Sequence, residues 1–559
     1  MSFFTKKEWL FIGLIFLLFL SFRLPAINIP YHQDEYKWVQ YSHPEILPPG
    51  TVPHPPLTEF IYTRLGPILG DDNFRVIPIL FSVVNFFLLF YLAKTLFDKR
   101  TAFYVVGLFA ISFYSVLASV MVDVDGAVMP FFLLLLSIGY FKFKESLWTD
   151  YRWIILIIIG AVGGFLIKMS GVLPLVAFGL DFAIEMKVFS DKKKVFKYML
   201  YGILSAFFLV GVLLLSKLIF PFFRLEYSLT YWKHFANSSS FFDRGWFQTL
   251  IQLVKAVLYS SPLLLVPLVF VDKEIFKKTR PFFIFIFVCL SFYLVIFDFS
   301  IGALDRYFEF LVIPLSLIVG LIYAKYFEWK SINKKSIIIF SFIALIIFLV
   351  QFISHGVPPL YPKTEWISRA ISFKWNFLYP FSGGSGPIPF YISFAFMSLA
   401  WLSTIAILFL YRFKYVSRSI VFAGILIMGL VYNGVFIEEY LFGKINGNSS
   451  GLVHRLTDFI KTNESIKNVT VYNDNGGWNI QAINKYRKRL YIDPKFDVVQ
   501  KVATLNQYKE HYMVVNIPHI DSDTVYAKYF ASCKVIYNEK SGVIDAKVYD
   551  CTKAPDLKI

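Results

Sequence analysis

The sequence predicts a polytopic α-helical membrane protein of about thirteen spans, with a small α/β domain at its C-terminal end; three observations predict it. Hydrophobic residues make up 57% of the 559 residues and charged residues only 17%, and the mean hydropathy is +0.59, too apolar for a soluble protein of this size. Apolar runs long enough to cross roughly 30 Å of hydrocarbon recur until about residue 440. Beyond that point the chain turns polar and alternates short strand-like and helix-like segments.

Taken in order, the expected spans cover about 9–27, 74–97, 101–121, 126–143, 152–168, 171–186, 198–220, 250–271, 281–299, 307–324, 337–354, 388–411 and 419–440. The first reads as a signal anchor, because "LPAINIP" after it lacks a small-x-small cleavage pattern. Lys and Arg in short loops stay on the cytoplasmic side. With Lys6 and Lys7 inside, every second loop is basic: "KTLFDKR", "KFKESLWTDYR", "KVFSDKKKVFK", "DKEIFKKTR", "KYFEWKSINKKS" and "RFKYVSR". The formal charge of +17 is therefore mostly a topological signal with anionic-lipid contact as its by-product, and it requires no nucleic acid. An odd number of spans places the tail on the extracytoplasmic side. The expected organisation is a transmembrane domain over 1–440, with its first external loop at 28–73, and an extracytoplasmic α/β domain over 441–559.

In the tail, "VTVYND", "RLYID", "HYMVVN", "CKVIY" and "VIDAKVYDC" read as strands, and "GGWNIQAINKY", "DVVQKVATLNQY" and "SDTVYAKYF" as helices. "NDNGGWN" lacks GxGxxG spacing and reads as a tight turn rather than a nucleotide site. Cys289 lies inside a span as a core thiol. Cys533 and Cys551 sit at the two ends of the final hairpin, either bonded in an oxidising compartment or free. Asn237, Asn448, Asn463 and Asn468 begin Asn-x-Ser/Thr triplets, which arise by chance and report only on a glycosylating host.

An ionisable group at the end of a span costs about 2.5 to 3.5 kcal/mol on insertion scales and marks a candidate site. Four places qualify on the outer side: Asp34 and Glu35 in "YHQDEYKWVQ", Asp123 and Asp125 in "VDVDG", Lys168 in "GGFLIKMSG", and Asp305, Arg306 and Glu309 in "ALDRYFEF". Their bland reading is solvated carboxylates and snorkelling cations. Together they offer cations for the phosphate of a lipid-linked donor and carboxylates to take the proton of a hydroxyl acceptor. The aromatic external loops around 224–246, with Arg244 and Trp246, and around 358–381 fit the interfacial belt, with part of that surface left to select the acceptor.

These residues also carry a resemblance. "QDEYKWVQ", "PHPPLTEFIY", "VDVDGAVMPFFLLLLSIGY", "GFLIKMSG" and "DRYFEFLVIPL", in this order over roughly 9–330, resemble the GT-C class of membrane glycosyltransferases. The closest branch holds the protein O-mannosyltransferases and the lipid A aminoarabinose transferase. The resemblance implies inverting transfer from a polyprenyl- or dolichyl-phosphate sugar on the extracytoplasmic face. It places Asp34 as base or acceptor-orienting group with Glu35 beside it. Asp125, better than Asp123, fills the second acidic position, for acceptor binding or for a metal shared with Glu35. Lys168 and Arg306 neutralise the leaving phosphate, Tyr307 adds a hydroxyl donor, and His54 supports the loop or meets the acceptor. The doubled acid of "VDVDG" departs from the family pattern and suits hard-oxygen ligation of Mg²⁺ or Mn²⁺, leaving metal dependence open.

The alternative readings are a ligase or polymerase using a diphosphate-linked oligosaccharide, and a lipid or solute transporter. A transporter calls for mid-membrane charges and an internal repeat, whereas the charges here gather at one face.

Overall fold

The structure, a computed structural model, describes residues 5–43, 52, 54–236, 245–296, 307–355, 363–381, 387–472, 486–490, 497–508, 510–516 and 525–556. Each of the thirteen expected spans overlaps a helix or a helix pair, but the twelfth, expected from residue 388, opens with the strand Phe390–Ser393 and becomes helical only at Phe394. In chain order the principal helices are α1 (Lys6–Ser21), α2 (Gln33–Tyr41), α3 (Pro56–Phe60), α4 (Val76–Leu96), α5 (Lys99–Ile111), α6 (Phe113–Val120), α7 (Val128–Glu145), α8 (Arg152–Ile167) and α9 (Leu173–Glu185). They continue with α10 (Lys192–Ile219), α11 (Trp246–Leu265), α12 (Lys273–Ser291), α13 (Val312–Tyr326), α14 (Lys334–Leu349), α15 (Phe394–Arg412) and α16 (Arg418–Leu441).

Among the described residues, nine helices are long and apolar enough to cross a membrane, and the bent pair α5 and α6 makes a tenth. The other expected spans are shorter or more charged: α7 ends in Lys142, Lys144 and Glu145, α8 has 16 residues and α9 has 13. The protein is thus an integral membrane protein whose spans are less uniform than its hydropathy suggests.

The chain divides into two compact units, one of residues 1–28, 37–340 and 404–433 and the other of 29–36, 341–403 and 434–559. The tail therefore clusters with two segments from earlier in the chain.

In the first unit, α7 and α8 form an antiparallel pair drawn together by small residues. A Cβ on Gly160 would lie 2.6 Å from the Leu136 nitrogen, and one on Gly163 would lie 2.1 Å from the Phe132 ring. Only glycine permits this approach, the usual device for helix association in lipid, where no hydrophobic drive exists. A 3₁₀ turn, Met169–Val172, folds back on the end of α8, with Gly171 packed against the Gly164 carbonyl.

The 68° break between α5 and α6 leaves backbone groups of both helices without helical partners, which membrane protein must satisfy internally. Arg23, fully buried just beyond α1, donates to the carbonyls of Phe19, Phe109 and Ala110 and to the Ser115 hydroxyl at 2.9 to 3.1 Å. At the start of α6, the Phe113 N–H donates to Asn433 Oδ1 at 2.7 Å. At its far end, the buried Arg75 donates to the Val120 carbonyl at 2.8 Å. These three side chains fix the descent of the chain into "VDVDG".

At the opposite end of these helices lies a charge cluster that sequence reading missed. Asp181, fully buried, accepts from Tyr140 Oη at 2.5 Å and from Arg280, while Lys144 and Arg280 pair with Glu185 at 3.1 and 2.7 Å. Two acids meet two bases here, so the cluster ties α7, α9 and α12 together. The expectation that charges gather at one face is corrected accordingly.

The second unit contains two sheets. β1 (Leu378–Phe381) and β2 (Phe390–Ser393) form an antiparallel pair, every residue of it buried. Phe377, Leu378, Tyr379 and Phe381 are therefore core residues, not members of an interfacial aromatic belt. The tail builds a five-stranded sheet of β3 (Asn468–Tyr472), β4 (Tyr486–Leu490), β5 (Tyr512–Asn516), β6 (Lys534–Ser541) and β7 (Ile544–Asp550), ordered β4-β3-β5-β7-β6. β3 runs parallel to β4 and β5, and β7 antiparallel to β5 and β6. The strand β4 lies at one edge of this sheet. Helices Ser449–Thr462, Val498–Asn506 and Val525–Ala531 complete the α/β layer. Cys533 and Cys551 are bonded to each other, which resolves the alternative left open by the sequence. The expected turn at "NDNGGWN" lies outside the described residues.

Gly160→Val should overpack the α7–α8 seam and cost about 1 to 3 kcal/mol. The check is a lower melting temperature of the purified protein in detergent; Gly179→Ala, at a position where an added Cβ meets nothing within 4 Å, should melt with the wild type.

Candidate functional site

The candidate site of the first unit forms where α7 begins and α8 ends. The antiparallel pairing of these helices brings the turn before α7 level with the residue after α8. That turn holds Asp125, and the residue after α8 is Lys168, whose extended backbone stops the helix. Lys168 Nζ donates to both carboxylate oxygens of Asp125 at 2.8 and 2.7 Å, with the lysine 5% exposed and the aspartate 1%. In a low-dielectric setting neither charge survives alone, so each is the condition for the other. The Lys168 ammonium also lies 4.3 Å from the centre of the Tyr307 ring, a cation–π contact. Tyr307, expected to add a hydroxyl donor, presents its ring to the lysine.

Gly126 is part of the same construction. A Cβ there would lie 2.4 Å from Glu309 Oε2 and 2.3 Å from the Ala118 carbonyl, so glycine lets the fully buried Glu309 close on the acidic turn. Behind Asp125 is a cavity of about 20 Å³ lined by Ser170, Tyr293 and apolar side chains, room for a single water. Tyr293 donates to the Ser170 hydroxyl at 3.3 Å. Neither residue stood out in the sequence, because Ser and Tyr are common in spans.

Asp123 is buried too, but it serves the turn. Its Oδ1 accepts from the N–H of Val124 at 2.6 Å, and its carbonyl accepts from Tyr62 Oη at 2.7 Å. Tyr62 begins an aromatic ladder: its ring stacks on Trp38 at 4.9 Å, and Trp38 stacks on His54 at 5.6 Å. His54 thus packs on Trp38 within the first loop. Thr58 on α3 adds a second tie, donating to the Ile167 carbonyl at 2.5 Å.

Asp34 and Glu35 occupy the first turn of α2, where the helix dipole favours carboxylates. Their environments differ. Glu35 is 1% exposed and accepts from the His32 N–H at 3.0 Å, closing the helix start, whereas Asp34 is half-buried. Trp246 is partly exposed at the start of α11. Arg306, Asp305 and Arg244 lie outside the described residues. Among the described residues, no group of three His, Cys, Asp or Glu side chains is arranged to hold a metal ion.

Residues 53–215 match the family model described as dolichyl-phosphate-mannose-protein mannosyltransferase. No curated protein matches the chain in sequence. Among solved structures, the chain superposes on ArnT from Cupriavidus metallidurans bound to undecaprenyl phosphate with a TM-score of 0.53 and 10% identity, covering 98% of this chain and 99% of that one. The apo state of the same protein gives 0.52 at 11% identity over 97% of each chain. The fold is therefore the GT-C fold, and Asp125 and Lys168 lie within the segment matched by the family model.

Lys168→Met should strand a buried carboxylate and destabilise the protein by about 3 to 5 kcal/mol. Adding Asp125→Leu should recover most of that loss. Thermal melts of the single and double variants decide it: a double variant as unstable as the single one contradicts a buried ion pair.

Proposed function

We propose that this chain is an inverting glycosyltransferase that moves a sugar from a polyprenyl-phosphate donor to a hydroxyl acceptor on the extracytoplasmic face. The observation that carries the reading is the buried Lys168–Asp125 pair, because it sits inside the segment matched to a family of lipid-phosphate-sugar transferases. In ArnT from Cupriavidus metallidurans, a protein of the same fold, the bound ligand is undecaprenyl phosphate. A lipid phosphate of this class is the ligand we assign to Lys168, with Arg306 as the second cation.

In the reaction, the acceptor oxygen bonds to the anomeric carbon while the bond from that carbon to the phosphate oxygen breaks on the opposite face. The acceptor proton passes to a carboxylate, and the lipid phosphate departs with the electron pair. Asp34 is the carboxylate best suited to this, since it is half-buried while Glu35 is committed to the helix start. Lys168 holds the developing phosphate charge by exchanging one anion, Asp125, for another. A charge-assisted contact of that kind strengthens as negative charge builds on the leaving oxygen. Asp125 keeps the lysine charged and oriented while the donor is absent.

The placement of the parts follows the same reading. Residues 1–440 form the transferase domain, with 28–73 as its catalytic external loop, and 441–559 form the extracytoplasmic domain. The alternation of basic loops puts the N-terminus in the cytoplasm. The Cys533–Cys551 disulfide supports the opposite side for the tail, since such bonds persist in oxidising compartments.

Asp34→Asn should lower the transfer rate by a factor of about 10² or more while the melting temperature stays put. Sugar transfer from a panel of polyprenyl-phosphate sugars, at wild-type rate in that variant, would reject the assignment. Orientation has its own check. In intact cells a membrane-impermeant maleimide should label Cys533 and Cys551 only after reduction; labelling that requires membrane disruption as well contradicts an external tail.

A further inference from the structure

On the side of the first unit where α1 begins lies a groove of about 570 Å³ that the transfer reaction does not use. One wall is the α1 stripe Phe11, Ile15 and Leu18, and the other is Phe103, Gly107 and Ile111 on α5. Its charged end holds Glu8, Lys99 and Arg100, with Trp329 beside them, 61% exposed. From Glu8 to Leu18 the wall rises about 15 Å, and from Lys99 to Ile111 about 18 Å, at 1.5 Å per residue. Half of a hydrocarbon core of about 30 Å is close to the same length.

The groove is thus one leaflet deep, apolar along its length and cationic at its mouth. Lys99 pairs with Glu8 at 3.3 Å. Arg100 donates to the Phe327 carbonyl and lies 5.9 Å from the Tyr104 ring, and among the described residues no carboxylate pairs with it. Lys6 and Lys7, both exposed in the first turn of α1, add further positive charge to the same end. An exposed tryptophan at that level is typical of the membrane interface. Gly107 keeps the groove open, since a Cβ built there meets nothing within 4 Å.

We propose that this groove binds one acyl chain of an anionic phospholipid from the leaflet facing the N-terminus, with the lipid phosphate against Arg100 and Lys99. The site is independent of the sugar-transfer reading. Charge selects the headgroup, and the depth of the groove selects a chain lying along α1 and α5.

The test uses the full-length protein, delipidated in detergent and titrated with dioleoylphosphatidylglycerol, dioleoylphosphatidylcholine or undecaprenyl phosphate. Melting temperature and native mass spectrometry are the readouts, since a ligand that binds only the folded state raises its melting point. Phosphatidylglycerol should give a saturable rise and a retained lipid adduct, and phosphatidylcholine should give neither. Gly107→Leu, which fills the groove, and Arg100→Gln, which removes its guanidinium charge, should each weaken the apparent affinity about tenfold or more. Gly13→Leu, on α1 but outside the groove and also with open space at its Cβ, should bind as wild type. An equal response to phosphatidylcholine, a response to undecaprenyl phosphate alone, or wild-type affinity in Gly107→Leu would each overturn the proposal.

Discussion

The first unit is organised around one electrostatic constraint, the burial of a lysine and an aspartate at the end of a helix pair. Isolated charges removed from water cost several kcal/mol each even after relaxation, so Lys168 and Asp125 stand only where each finds the other. The close packing of α7 and α8 supplies that meeting. Glycine on α8 and in the turn after it, rather than any attraction between apolar surfaces, brings the two helix ends level. Gly126 does the same for the acidic turn by admitting Glu309 against it. A pair fixed in this way is the premise of the proposed exchange of Asp125 for a lipid phosphate.

The approach to the pair shows how a membrane protein supports irregular backbone. Where α5 breaks from α6, freed carbonyls are met by Arg23 and a freed N–H by Asn433. Where α6 ends, Arg75 meets the Val120 carbonyl. These buried groups touch no substrate in the proposed mechanism. They hold the backbone that carries Asp123 and Asp125, and the aromatic ladder from Tyr62 to His54 ties the first loop to the same turn.

Much of this was legible in the sequence because hydropathy and charge placement are direct consequences of the bilayer. All thirteen spans overlap helical segments, though the twelfth took in the strand Phe390–Ser393 at its start, and the five strands of the tail fall close to where alternation put them, with β4 starting three residues earlier than "RLYID" suggested. The pairing of Lys168 with Asp125 was not legible, since it depends on helix proximity across 43 residues of chain. Nor was the role of Arg23, which in sequence is only a cation at the end of a span. The Asp181 cluster escaped because its members are spread over three helices, and the β1–β2 pair because its aromatic residues mimic an interfacial belt. Similarity of side-chain composition hides whether such residues face lipid or core; only packing separates them.

The central claim is that Lys168 trades Asp125 for a lipid phosphate. The most direct measurement is the affinity of the purified protein for undecaprenyl phosphate, compared between wild type and the isosteric double variant Lys168→Met with Asp125→Leu, whose fold should be intact. If Lys168 holds the phosphate, the double variant binds the lipid phosphate at least about tenfold more weakly. Equal affinity in the two proteins would show that the buried pair is structural only and contradict the account.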